Sequence, residues 1–580
     1  MTSVFVRNLF RRKIVSPNLT DTPLRRCLSL PHVLFFGIGT VVGVGVYALT
    51  GQLVKYIAGP ATVIAFLVSS VVIALSALCY AEFAARVPRA GSSYIYTYMA
   101  LGELPAFFVG WNMLFETIVG AGVGCRTISE YLDEWLDGWI RNATRDVTGG
   151  HYLPQSGGHF ADEPDVLAVI IIVVFTVFVC LGVKEGVTFQ GIIIAFNLVV
   201  LAFTVVVGLI AGHDVSLWST QNDPMGTHPG GFTPYGIAGI ASAVGSTVFA
   251  FAGFESVAMM AEEAKNPKRS ISISILVTLV ISSIFYVLLS VTLALAVPYT
   301  LVNADSAFVH MFKYLGLPWA ATIVAIGAGC AMSAHVFAVM CAIPRYIYAM
   351  AGDGILFAWM AHVNQRTQVP IPAALTTAAF MTFLVLVFNQ STLVEFTAIG
   401  TLIAFTGTAM SSLVLRYRHP RHHVLAETTG GDSETQFILG KEDNKSLNDY
   451  RSIGSTAVGV LPESVVTYSM LVFSLALVVL CICTRLHNIA PLVLLIILYV
   501  VSTIVVVTTC VLIASIRQYE QDIDFKIPYS PWVQLACIAC NVLFLIYLRP
   551  GTWVRFSVWI VLGFIIYFGY SYRHSVEQRM

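Results

Sequence analysis

The sequence predicts an all-α polytopic membrane protein: a 5+5 inverted repeat whose first helices are broken, followed by four more helices. Three observations carry this. Of 580 residues, 57% are hydrophobic and 11% charged, against roughly 25% charged in a soluble domain. Fourteen apolar stretches follow one another, each roughly the 20 residues a bilayer demands. Two of them, span 1 and span 6, are interrupted by glycine at matching places.

The first thirty residues are basic and polar, with no apolar region of signal-peptide type, so no cleavable leader is predicted. The spans fall near 33–54, 60–80, 104–128, 166–183, 189–211, 236–260, 272–297, 318–343, 371–388, 393–415, 464–484, 489–515, 531–548 and 553–572. An even count puts both termini on one side. Lys and Arg number about 24 there and about 6 in the opposite loops, which makes that side cytoplasmic. The expected organisation is a cytoplasmic tail at 1–32, a ten-helix core at 33–415 and a disordered cytoplasmic loop at 416–463. Four accessory helices at 464–572 and a cytoplasmic end at 573–580 complete it.

Span 1 holds Gly37, Gly39, Gly43, Gly45 and Gly51. Glycine in a helix interior costs about 1 kcal/mol relative to alanine. Either the helix packs very closely on its neighbours, as the pair Gly39 and Gly43 allows, or it breaks. A break is predicted at Gly43-Val44-Gly45. It would free backbone N–H groups that lipid cannot satisfy, and the half-helix starting there would attract a carboxylate. A phosphate loop is not expected, since the run is neither preceded by a strand nor polar enough.

Span 6 ends in Phe251-Ala252-Gly253-Phe254-Glu255-Ser256, about 208 residues after Gly45 (253 − 45), which is where a second set of five begins. Five is odd, so the second copy lies upside down, and interrupted helices at matching positions mark a midplane transport site. Freed N–H groups on span 1 suit an anion. Freed carbonyls on span 6, with Glu255, suit a cation. Together they suit a zwitterion, an amino acid.

The eleven cysteines lie almost entirely in apolar spans, which argues against a disulfide framework. Cys537-x-x-Cys540 and Cys481-x-Cys483 have no histidine nearby, so no metal and no cofactor is expected. The loop between spans 3 and 4 is external and acidic. It either concentrates a cation at the mouth or is simply a solvated surface. Of the sequons at Asn18, Asn142, Asn389 and Asn444, only Asn142 clears the membrane outside.

Several stretches resemble the amino acid–polyamine–organocation transporters, and within their solute carrier 7 family the cationic amino acid transporters. They are Tyr80-Ala81-Glu82-Phe83 through Tyr94, Gly110-Trp111-Asn112, Phe251 to Glu255 and Glu262 to Ser270. Pro344-Arg345 through Gly354 and Ile399-Gly400-Thr401-Leu402 extend the match. Glu116 and Ile140-Arg141-Asn142 are most similar to the type-4 branch. The resemblance implies a core of the leucine-transporter type. It places the substrate carboxylate on Thr40 to Gly45, Val44 included, and the amino group on carbonyls of Phe251 to Phe254. Phe251 would close over the substrate.

Ionisable residues at membrane depth are functional candidates. Glu116 meets the substrate's amino group or cationic side chain, or pairs within the bundle, or gates. Glu255 follows the second break and is a further substrate candidate. Glu82, near Arg86 and Arg89, reads as a gating ion pair. His335 narrows the pocket, senses pH or is merely hydrogen-bonded. By the resemblance, Asn197 takes the place of a lysine that proton-coupled relatives use. It cannot titrate and is expected to tie span 1 to span 8.

The predicted function is facilitated, alternating-access transport of cationic L-amino acids: arginine, lysine or ornithine. The partners are the substrate and the lipid bilayer, with no nucleic acid, and the plasma membrane is the expected location. A carrier of neutral zwitterions and a non-transporting sensor of the same fold are the rivals. A membrane enzyme is disfavoured, because no nucleophile elbow, metal-binding histidine pair or phosphate loop occurs.

Overall fold

A computed structural model describes residues 9–13, 26, 28–43, 45–89, 91–136, 138–148, 160–161, 164–181, 186–218, 231–304, 306–367, 369–418, 462–485, 492–519, 523–547 and 550–576. The expected loop at 416–463 and the sequons at Asn18 and Asn444 fall almost wholly outside these residues, as does Val44.

The long elements are helices. They are α1 (Leu30–Ile57), α2 (Gly59–Arg86), α3 (Glu103–Trp135), α4 (Val166–Leu181), α5 (Gly186–Ala211), α6 (Gly236–Phe251 with Phe254–Met259) and α7 (Pro267–Ala296). Then come α8 (Pro318–Gly352), α9 (Ile371–Val387), α10 (Gln390–Arg416), α11 (Pro462–Arg485), α12 (Leu492–Ser515), α13 (Trp532–Tyr547) and α14 (Gly551–His574). Ten of them are long and apolar enough to cross a membrane. The other four, α4, α9, α13 and the first piece of α6, are shorter apolar helices. The protein is therefore a multi-pass membrane protein. Span 8 was expected to stop before Pro344, yet α8 carries that proline inside and ends only at Gly352. A proline removes one hydrogen bond, and here the helix continues past it. The segment after α3 forms a helix at Trp139–Thr148.

Position in the bundle follows burial. The apolar part of α1 is 88% buried, that of α12 and α14 only 17%. The central helix is thus the glycine-rich one, because only glycine lets four neighbours approach it. A Cβ on Gly37 would lie 2.6 Å from Thr278 Oγ1 of α7, and one on Gly39 2.9 Å from Ile194 Cγ1 of α5. One on Gly43 would lie 2.7 Å from His335 Cβ of α8, and one on Gly45 2.7 Å from Ala250 Cα of α6. Close packing and breakage, alternatives in the sequence, both occur. Outward-facing Val493, Ile496, Ile497, Val500 and Ile504 make α12 a lipid-facing helix. α14 is stapled to α3 by Trp111, which stacks on Trp559 at 4.2 Å and donates Nε1–H to its carbonyl at 3.0 Å.

The two broken helices run against each other. The first half of α1 packs on the second half of α6, and the second half of α1 on the first half of α6, so the breaks meet.

The N-terminal tail is not merely a tail. Arg11 pairs with Glu103 at 2.8 Å, Arg12 with Glu463, and Lys13 with Asp353 at 2.6 Å. Burial and then Arg418 hold the Arg12 guanidinium below its usual range, with Glu463 opposing both. The other end of the chain reaches the same place: Ser575 donates to Glu103 at 2.7 Å and Val576 N–H to the Asp353 carbonyl at 3.0 Å. Residues 11–13 and 575–576 thus meet on one face of the bundle.

Candidate functional site

The break in α1 falls where glycine predicts it. Regular helix ends at Val41, Val42 turns to φ −84°, ψ 60°, and wider π-type turns resume at Gly45–Leu49. In α6 the chain unwinds at Ala252-Gly253. Gly253 has φ +121°, a conformation that L side chains rarely adopt, and any Cβ there would strike the carbonyl oxygen of Thr40. Each break therefore needs the other's small residues.

A cavity lies beside the breaks, holding about 420 Å³ of space including its open mouth. Gly45 of α1 and Ala252, Gly253, Glu255 and Ser256 of α6 line it. So do Glu116, Thr117 and Gly120 of α3 and His335 and Val339 of α8. Six residues singled out in the sequence are thus brought together: Gly45, Glu116, Ala252, Gly253, Glu255 and His335.

Both acids are held by local geometry. Glu255 sits in the first turn of the second half of α6, and its Oε1 accepts the Gly253 N–H at 2.8 Å across the break. Its Oε2 is buried without a hydrogen-bond partner. Glu116 Oε1 accepts from Thr401 Oγ1 of α10 at 2.5 Å. Gly400 makes that approach possible, since a Cβ there would lie 2.8 Å from Glu116 Cβ. Both glutamates are 5% exposed. A buried carboxylate strongly favours a cation or donor beside it. His335 presents its ring to the backbone carbonyls of Gly39 and Thr40, and its Nδ1 has no partner.

Other expected site residues stand behind the wall. Thr40 turns its hydroxyl back to the Gly37 carbonyl at 2.9 Å. Gly43 backs onto His335. Phe251 packs on Tyr286 with ring centroids 4.8 Å apart, and Phe254 on Phe405 at 5.1 Å. Val44 lies outside the described residues.

Asn197 differs from expectation. Its Nδ2–H reaches the Val42 carbonyl at 3.4 Å and its Oδ1 accepts from Tyr47 OH at 2.9 Å. Both bonds go to α1, one on each side of the break, rather than joining α1 to α8. The α5–α8 link is made instead by Gln190, whose Nε2–H reaches the Ala334 carbonyl at 3.3 Å.

Glu82 is fully buried away from the cavity. It accepts from Arg86 at 2.6 Å, from Arg416 Nε at 2.9 Å and from the Ile527 N–H at 2.8 Å. The ion pair expected within α2 thus extends to α10 and to the segment before α13. Asn142 is exposed on the helix Trp139–Thr148. Among the described residues no group of three His, Cys, Asp or Glu is placed to hold a metal.

Sequence reasoning did not single out Thr117, Gly120, Ser256, Val339 or Tyr286. The helical spacing of Gly120 from Glu116, four residues on, was a usable signal, while Tyr286 had none.

The family profile described as amino acid permease matches residues 28–502, and that described as the C-terminus of the permease matches 525–575. The chain is 35% identical over 599 residues to cationic amino acid transporter 4 of Homo sapiens, covering 99% of this chain and 91% of that one. It is 32% identical to cationic amino acid transporter 3, mitochondrial, of Arabidopsis thaliana, over 95% of this chain and 91% of the relative. It is 30% identical to cationic amino acid transporter 2, vacuolar, of the same plant, over 98% and 93%.

Proposed function

Because the chain belongs to the amino acid permease family and is a membrane transporter rather than an enzyme, we propose that it carries cationic L-amino acids by alternating access. Arginine, lysine and ornithine are the cargo. The observation that carries this reading is the cavity itself, where Glu116 and Glu255 are both buried beside the two helix breaks. The end of α1 would hold the α-carboxylate and the unwound carbonyls of α6 the ammonium. The two carboxylates would then face a charged side chain. The relatives' names point the same way.

Transport is uncoupled in this proposal. Asn197 bridges the α1 break with groups that do not titrate near neutral pH. A cationic cargo is then driven by membrane potential alone, worth about 2.3 kcal/mol per charge per 100 mV. Uptake of labelled lysine into proteoliposomes tests both points. An imposed potential should drive accumulation, and a proton or sodium gradient at clamped voltage should not. Accumulation under a proton gradient would overturn the uncoupled mechanism and direct attention to Glu116 and His335.

Fourteen crossings, cytoplasmic termini and residence in the plasma membrane belong to the same proposal. Asn142 is then the one glycosylated sequon. A glycosidase-sensitive mass shift should disappear in Asn142→Gln, and a shift that survives would refute the topology. Surface biotinylation of intact cells checks the compartment.

A further inference from the structure

Tyr286 stands where the two breaks touch, on α7, which runs unbroken past both of them. Its hydroxyl lies 2.7 Å from the carbonyl oxygen of Val41 and 2.5 Å from that of Ala250. Val41 is the last residue of regular helix before the break in α1. Ala250 lies four residues before Phe254, where the second half of α6 begins. These are carbonyls whose helical partners the breaks displace. The phenol is 1% exposed and clamped between Phe66 and Phe251, with ring centroids at 5.3 and 4.8 Å. A Cβ on Gly45, which lines the cavity, would lie 2.8 Å from the same hydroxyl. One oxygen therefore ties both broken helices together directly behind the cavity wall.

A phenol carries a single proton. At any moment it can be donated to only one of the two carbonyls; the Val41 carbonyl also accepts the Gly43 N–H at 3.0 Å, so the phenol can serve the Ala250 carbonyl without leaving Val41 unmatched.

We propose that Tyr286 is a positioning residue that sets the gap between the anion-binding end of α1 and the cation-binding carbonyls of α6. It thereby gauges the distance between the substrate's carboxylate and its amino group. The proposal rests on the transport reading above. In every α-amino acid one carbon separates the two groups, so the gauge selects α-amino acids as a class and is indifferent to the side chain. A β-amino acid, one methylene longer between the groups, fails it. A methylene that does not fit a site is worth about 1–3 kcal/mol, roughly ten- to two-hundred-fold in discrimination.

The test is competition of labelled L-lysine uptake into proteoliposomes by unlabelled L-lysine, L-arginine and β-homolysine. Wild-type protein should prefer lysine to β-homolysine by about ten-fold or more. In Tyr286→Phe that ratio should fall about five-fold or more, while the lysine-to-arginine ratio moves less than about two-fold. A merely structural role would lower uptake of all three in proportion and leave both ratios where they were, and that outcome overturns the proposal. So does a wild-type protein that does not discriminate against β-homolysine.

If Tyr286→Phe assembles without turning over, the same ratios are read from the ligand-induced rise in melting temperature. If it fails to fold, Phe66→Leu, which loosens the ring packed on Tyr286 from outside the cavity, must lower the same lysine-to-β-homolysine ratio. Absence of lysine uptake by the wild type would instead refute the proposed cargo alone. The α-against-β comparison is then made with whichever α-amino acid stabilises the wild-type protein.

Discussion

Glu116→Gln and Glu255→Gln are each expected to abolish most lysine uptake while the protein remains at the membrane. The substitution keeps the shape of the side chain. In Glu255→Gln the new amide oxygen could still accept the Gly253 N–H, and in Glu116→Gln it could still accept the Thr401 hydroxyl. What disappears is the negative charge, in a cavity where both carboxylates are 5% exposed. Truncating one partner of a buried, hydrogen-bonded charge pair costs about 2–5 kcal/mol. At about 1.4 kcal/mol per decade, that is roughly a thirty-fold loss or more in apparent affinity. The loss should be larger for lysine and arginine than for an isosteric neutral amino acid, because the neutral ligand leaves no cation unpaired. Uptake by both variants within about two-fold of wild type, at equal surface expression, would show that a cationic pocket is elsewhere or does not exist.

Glu82→Gln should act on assembly rather than on selectivity. Glu82 is the common acceptor of Arg86, Arg416 and the backbone of Ile527. The side chains of Arg86 and Arg416 are 8% and 11% exposed. Removing the acid leaves two guanidinium groups buried around a neutral amide. Breaking a buried pair in this way costs about 3–5 kcal/mol, much of it the uncompensated charge. The purified variant should melt at clearly lower temperature, and the double variant Glu82→Gln with Arg416→Gln should recover part of the loss, since their effects are coupled through one network. Simple additivity of the two substitutions, or a melting temperature equal to wild type, would contradict this account. The consequence reaches beyond stability. The network joins α2, α10 and the segment leading into α13, so it holds that segment to the two helices.

Much of this architecture was legible in the chain because the physics that produces it is local. A stretch of roughly 20 apolar residues must become a helix in a bilayer whatever surrounds it; among the described residues ten of the expected stretches are helices long and apolar enough to cross, and the other four hold shorter apolar helices. Glycine weakens a helix wherever it stands, so breaks at Gly43 to Gly45 and at Gly253 could be expected from the chain, although Gly37 and Gly39 stay in regular helix. Glu82 and Arg86 are four residues apart on one helix and meet by helical spacing alone.

The rest required the fold, because it depends on which distant residue comes to lie opposite. Thr401 reaches Glu116 from 285 positions away, and Tyr286 reaches Val41 from 245. A tyrosine and a threonine inside apolar helices look like ordinary lining until the partner is known. Asn197 shows the same limit. Its inability to titrate is a property of the residue, yet that it spans the break in α1 instead of joining α1 to α8 depends on the depth at which α5 packs. The docking of Arg11, Arg12 and Lys13 onto acids from three separate parts of the chain is likewise absent from any local pattern. Hydropathy and backbone preference act over a few residues and can be read along the chain. Complementarity between helices acts across hundreds, and only packing decides which donor meets which acceptor.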